Sequence, residues 1–258
     1  MIKNIVLAIF SFLIFASFAS MEVFAQVKVY PEVQEIIAPP GETIKGNVWV
    51  IGPEDAELEV EIQPEDWSKG RKNGVDWLKI KPEEKFVVKP KKMKEVKWVA
   101  VVPKDAKGDL VAQVFFASIG SKLGEVKIGT RVPQSIYITV KGTEKSVGGI
   151  TNFNVECNNG NYGFAVLFKN TGNVHLTTRG KIILKELQGG TTRALELNPW
   201  FYRSGESFAL RSWMQEGLAK GNYESTATVF YTDPAKNEKK VETKIKFSID
   251  EDGKVIEK

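Results

Sequence analysis

A pair of β-sandwiches in tandem, behind an N-terminal leader, is the architecture the sequence predicts. Three observations point there. Past residue 25 no stretch sustains a 3.6-residue apolar period. Short alternating or β-branched runs, set off by Gly, Pro, Asn and Asp, recur along the whole chain. Such spacing is the signature of all-β sandwiches and barrels. A polar, glycine-containing stretch near residue 145 then divides the runs into two sets of about equal length. Of the 258 residues 42% are hydrophobic and 26% charged, proportions of a folded globular protein.

The first element is an address. Lys3 gives a short positive start, Ile5 to Ala19 is apolar apart from Ser11 and Ser17, and Val23-Phe24-Ala25 supplies small residues for processing. This pattern predicts a signal peptide spanning 1–25 and cleaved after Ala25, and hence a periplasmic or secreted protein. Glu22 arrives too early for a membrane anchor, which needs about 20 apolar residues, and no later segment approaches a span. The 233 residues that follow (258 less 25) are enough to bury a core.

Candidate strands follow in order: Thr43–Ile51, Glu57–Ile62, Val96–Val102, Leu110–Phe116, Ser135–Val140, Gly163–Phe168, Lys181–Lys185, Tyr223–Tyr231 and Glu242–Ile249. One short helix is expected around Trp213–Leu218. Residues 142–150 read as a linker, giving domains at 26–141 and 151–258, each the size of an immunoglobulin-like domain. A weak repeat supports the division. Lys107-Gly108-Asp109 opens a strand with Leu110, Ala112, Val114 and Phe116 on one face. Lys220-Gly221-Asn222 opens another with Tyr223, Ser225, Ala227 and Val229 on the matching face. Leu218-x-x-Gly221-x-Tyr223 has the form of a tyrosine corner, in which a Tyr hydroxyl ties back to upstream backbone.

Chemistry is scarce. One Cys and one His exclude a disulfide framework and a Cys/His metal cage. His175 lies in the turn Asn170–His175 with no nucleophile-elbow pattern anywhere, and it reads as a loop histidine. Cys157 reads as a small apolar residue at a strand end. Glu57, Glu59 and Glu61 alternate with Leu58, Val60 and Ile62, which is a solvated sheet face rather than an acid pair. No phosphate loop or helix–loop–helix calcium loop occurs. Neither enzyme, cofactor nor metal is expected, and a net charge of +4 is too diffuse for nucleic acid.

Two features suit binding. Trp67 and Trp77 flank a basic loop carrying Lys69, Arg71 and Lys72, which could hold a sugar or peptide against an aromatic face. Packing of both tryptophans into the sandwich is the competing reading. Lys85, Lys89, Lys91, Lys92, Lys94 and Lys97 surround Phe86-Val87-Val88 and read as a strand edge charged against aggregation. They could alternatively meet an anionic wall polymer.

Phe86-x-Val88-x-Pro90, followed by Val96-x-Trp98-x-Ala100-x-Val102-Pro103-x-Asp105-Ala106-x-Gly108, resembles the first domain of periplasmic pilus chaperones and their PapD-like relatives. Thr130-Arg131-Val132-Pro133-Gln134-Ser135-Ile136-Tyr137-Ile138 is similar to the final strand of that domain. The resemblance covers residues 27–141. It implies a chaperone that lends this strand to an incomplete pilin by β-strand addition. It further implies that Arg131 meets the client's terminal carboxylate and that Ile136 and Ile138 face the client. The family's second Arg, on the first strand, has no counterpart in Val27–Ile37, and Pro133 removes one ladder donor. The expected partner is a pilin-like or surface subunit outside the cytoplasm, with no nucleic acid and no integral membrane segment. Asn170–Asn173 is similar to repeats of bacterial surface proteins, which keeps open the alternative of a structural or adhesive envelope protein binding wall polymers.

Overall fold

The computed structural model describes residues 26–257 apart from positions 55, 71, 83, 124 and 125. The signal-peptide segment 1–25 with its cleavage site and Arg71 lie outside the described residues. What is described is all β-strand and loop.

The first module runs through β1 (Lys28–Tyr30), β2 (Val33–Ala38), β3 (Thr43–Ile51), β4 (Leu58–Asp66) and β5 (Lys72–Asn73). It continues with β6 (Leu78–Lys81), β7 (Lys85–Val88), β8 (Met93–Val101), β9 (Gly108–Leu123) and β10 (Val126–Val140). One sheet has the order β1-β3-β8-β6 and the other β2-β10-β9-β4-β5, with β7 also on β4. At Pro31 the first strand changes sheets: β1 pairs antiparallel with β3, and β2 pairs parallel with β10. Period two places Leu58, Val60 and Ile62 inside and Glu59 and Glu61 outside. The same rule buries Leu110, Ala112, Val114 and Phe116. Trp98, Phe116, Ile136 and Ile138 are the largest side chains wholly buried in this core.

The second module comprises β11 (Gly148–Asn158), β12 (Asn161–Asn170), β13 (Leu176–Glu186) and β14 (Thr192–Tyr202). After these come β15 (Ser207–Met214), β16 (Gly221–Thr232), β17 (Glu238–Ile249) and β18 (Val255–Glu257). Its sheets have the orders β11-β12-β15 and β14-β13-β16-β17-β18. They close on a separate core built around Tyr162, Phe164, Phe168, Tyr202 and Phe247. The tyrosine corner is formed: the Tyr223 hydroxyl donates to the Ala219 carbonyl at 2.7 Å.

Two sequence expectations change. No helix forms at Trp213–Leu218. Leu210 and Met214 are buried at strand period, so Trp213 and Met214 complete β15, and the chain then loops to Gly221. The expected strand Ser135–Val140 is only the second half of the 15-residue β10, which passes through Pro133 without a break.

The stretch between β10 and β11 is tied down. Lys145 donates its backbone N–H to Asn173 Oδ1 (2.6 Å), and Asn173 Nδ2 donates to the Thr143 carbonyl (2.9 Å). Gly108 approaches Asn173 closely. Its φ is +72°, and a Cβ there would lie 2.2 Å from the Asn173 carbonyl oxygen. Only glycine meets both conditions.

Candidate functional site

The β9–β10 hairpin is longer than the sandwich that carries it. Strand β4 covers β9 only from Ala112 to Ser118, and β2 covers β10 only from Ser135 to Val140. Beyond those limits the two strands pair with each other as far as Leu123 and Val126. Among the described residues, no strand pairs with the outer edge of β10 from Val126 to Gln134. An edge of this kind is a row of backbone donors and acceptors ready for another strand.

Which groups face that edge follows from parity. Ser135 donates its N–H to the Glu32 carbonyl and Lys141 to the Ala38 carbonyl, both at 2.8 Å on the β2 side. N–H and C=O of one residue point the same way and alternate along a strand. Gly129, Arg131 and Pro133 therefore turn toward the open edge, and Thr130, Val132 and Gln134 toward β9. Pro133 thus costs the β9 ladder nothing. It deletes one donor from the outer edge, where proline is tolerated.

Arg131 is placed differently from its expected role. Its guanidinium donates to Glu65 Oε1 at 2.6 Å and to Gln63 Oε1 at 3.0 Å, and lies 3.6 Å above the Phe115 ring. The Glu65 side chain is only 4% exposed and also accepts from Trp67 Nε1 at 2.9 Å. Arg131 is the counter-ion of a buried carboxylate, not a cation held open for a client. Ile136 and Ile138, expected to face a client, are both fully buried in the first core, because even positions of β10 point inward. Their stretch of edge is already occupied by β2.

The basic loop separates into parts. Trp77 is 8% exposed, with Nε1 donating to Asp66 Oδ2 at 3.2 Å, so it belongs to the core and not to a binding surface. Trp67 is half-buried beneath Arg203 of the second module, 4.7 Å from ring to guanidinium. Lys69 and Lys72 line a cleft of about 390 Å³ between the modules, opposite Asn173 and Ser204. Trp67, Trp77, Lys69 and Lys72 therefore do not form one patch. Among the lysines around Phe86, three hold carboxylates: Lys85 with Glu59, Lys91 with Glu54, and Lys97 with Glu95. The pair with Lys91 draws the Glu54 carboxyl below its ordinary range.

His175 lies in the loop ahead of β13, as expected, but it is buried there. It is 3% exposed, with its backbone N–H and Nδ1 both on Asp109 Oδ2, across the boundary between the modules. Tyr137 and Phe201 pack on its ring. Burial pushes the Tyr137 hydroxyl up to about 12, with Arg203 opposing the shift and Asp109, Glu206 and Glu35 adding to it. Cys157 is a half-buried free thiol against the second core. Among the described residues no group of His, Cys, Asp and Glu could hold a metal ion, and no helix is long and apolar enough to cross a membrane.

The open edge had a signal in the sequence: Val126, Ile128, Thr130 and Val132 alternate just ahead of Pro133, and the hairpin is unusually long.

No family model matches the chain, and no curated protein matches it. Solved structures do. The chaperone–tip adhesion subunit complex of the archaic Csu pili of Acinetobacter baumannii is 12% identical, covering 84% of this chain and 98% of that one (TM-score 0.47). The Salmonella enterica SafB chaperone complex with SafA pilin is 9% identical over 87% and 98% (0.44), and the E. coli chaperone DraB 10% over 85% and 98% (0.44). All three hold a chaperone, in two of them together with a tip adhesion subunit or a pilin.

Proposed function

We propose that this protein is a non-enzymatic, extracytoplasmic, chaperone-like binder. It takes an extended segment of a partner protein onto the outer edge of β10 by β-strand addition, in the assembly of pili or other surface structures. The observation that carries the reading is the unpaired edge from Val126 to Gln134, on a hairpin that outruns its own sandwich. The resemblance of residues 27–141 to pilus chaperones supports it, and the partner class is a pilin-like or surface subunit. Backbone groups of Gly129 and Arg131 and the carbonyl of Pro133 make the ladder. The side chains of Arg131, Ile136 and Ile138 serve the strand's own packing.

Two substitutions at one position test this. Arg131→Ala removes the guanidinium and leaves the backbone donor, whereas Arg131→Pro removes both. Captures from native envelope should fall about fivefold to tenfold further for Arg131→Pro than for Arg131→Ala, the worth of one backbone hydrogen bond. Equal recovery by the two folded variants would remove the edge from the mechanism.

A further inference from the structure

The chain's single histidine sits where the two modules meet. Asp109, at the start of β9, accepts from the His175 backbone N–H at 2.6 Å and from Nδ1 at 2.7 Å through one oxygen. Its other oxygen accepts from Thr139 Oγ1 at 2.7 Å. A carboxylate only accepts, so Nδ1 carries the hydrogen. The remaining ring nitrogen, Nε2, stands 3.5 Å from Oε1 of Glu35 on β2. In neutral imidazole that nitrogen turns a lone pair toward a carboxylate; once protonated it turns an N–H there. Phe201 stacks on the ring at 4.9 Å and Tyr137 leans on it at 5.0 Å, which fixes its orientation. The charged and titratable groups around it are Asp109 from β9, Glu35 from β2 and Tyr137 from β10. Arg203 and Glu206, from the turn after β14, act on Tyr137.

We propose that His175 is a proton-operated latch between the modules. Protonation turns Nε2 from an acceptor facing Glu35 into a donor, and the imidazolium then adds β2 to the tie that the backbone N–H and Nδ1 already make between β9 and the loop ahead of β13. Glu35 stands opposite Tyr137 in the β2–β10 register, so this contact anchors β2 beside the Tyr137 ring that packs on His175. The latch is engaged on the acid side, where the ring is charged, and released as pH rises and the proton leaves.

The test is hydrogen exchange on the intact chain at about pH 5.5 and about pH 8, the range in which imidazoles change charge, corrected for the intrinsic pH dependence of exchange. In the wild type, amides of Val33–Ala38 and Val174–Leu176 should be about threefold to tenfold more protected at the acid pH. That is the effect of a charged hydrogen bond discounted for the exposure of Glu35. Glu35→Gln, a substitution at a part-exposed surface position, should fold normally and lose the difference. Proton NMR follows the ring directly, since one histidine gives one imidazole C2–H signal. The latch is refuted by a titrating His175 with unchanged protection, by the same pH dependence in Glu35→Gln, or by a ring that does not titrate across this range.

Discussion

Phe116 and Tyr137 sit in the same sheet and face opposite ways, and each supports a separate expectation. Phe116 is fully buried on the inward face of β9. Truncating it to Ala removes a ring from a close-packed core and should destabilise the protein by about 3–5 kcal/mol, read from denaturant unfolding. An unchanged midpoint would mean the face is assigned wrongly. Tyr137 looks outward into the second module, and its hydroxyl keeps its proton up to about 12 against an ordinary 10.0 because it is buried. Between those two values the folded chain binds more protons than the unfolded chain, so stability falls as pH rises. Two units correspond to about 2–3 kcal/mol at most. Melting curves across this interval should therefore fall more steeply for wild type than for Tyr137→Phe; parallel curves would contradict the burial argument.

At the scale of elements, strands were legible where one face is apolar and the other is not. Glu57–Ile62 alternates cleanly and is a strand in the expected orientation; Leu110–Phe116 is apolar on both faces apart from Gln113, and its even positions still turn into the core as expected. Tyr223 also closed its corner as the spacing Leu218-x-x-Gly221-x-Tyr223 implied. Expectation and structure differ where a local pattern is ambiguous. Trp213–Leu218 mixes large and small residues over too short a span for any period to decide, and β15 claims its first two residues. Pro133 looked like an interruption because sequence does not show which way a residue's N–H points. The register with β2 supplies that direction, and Pro133 proves harmless to its own sheet. The expected site was displaced for the same reason. Ile136 and Ile138 alternate as a client-facing strand would, yet their alternation serves the core. The buried Glu65 that occupies Arg131 is 66 residues away in sequence, beyond any local pattern.

For the whole molecule, two separate cores joined through the polar and aromatic contacts around His175 and Asn173 explain how a chain with no disulfide holds its shape. Each core is closed by its own pair of sheets. Severing the chain between Glu144 and Gly149 should therefore leave two folded pieces with dispersed proton NMR spectra. Each should be less stable than in the intact chain, since the Asp109–His175 and Thr143–Asn173 contacts then join separate pieces. An unfolded fragment would mean that the cores depend on one another.

The open edge of β10 is the feature on which the functional account depends, and partner-bound amide exchange tests it most directly. With the captured partner in place, the outward amides of Gly129 and Arg131 should become strongly protected. The inward amides of Thr130, Val132 and Gln134, already bonded to β9, should change little. A partner that binds tightly while leaving the amides of Gly129 and Arg131 as exchangeable as in the free protein would contradict strand addition at this edge.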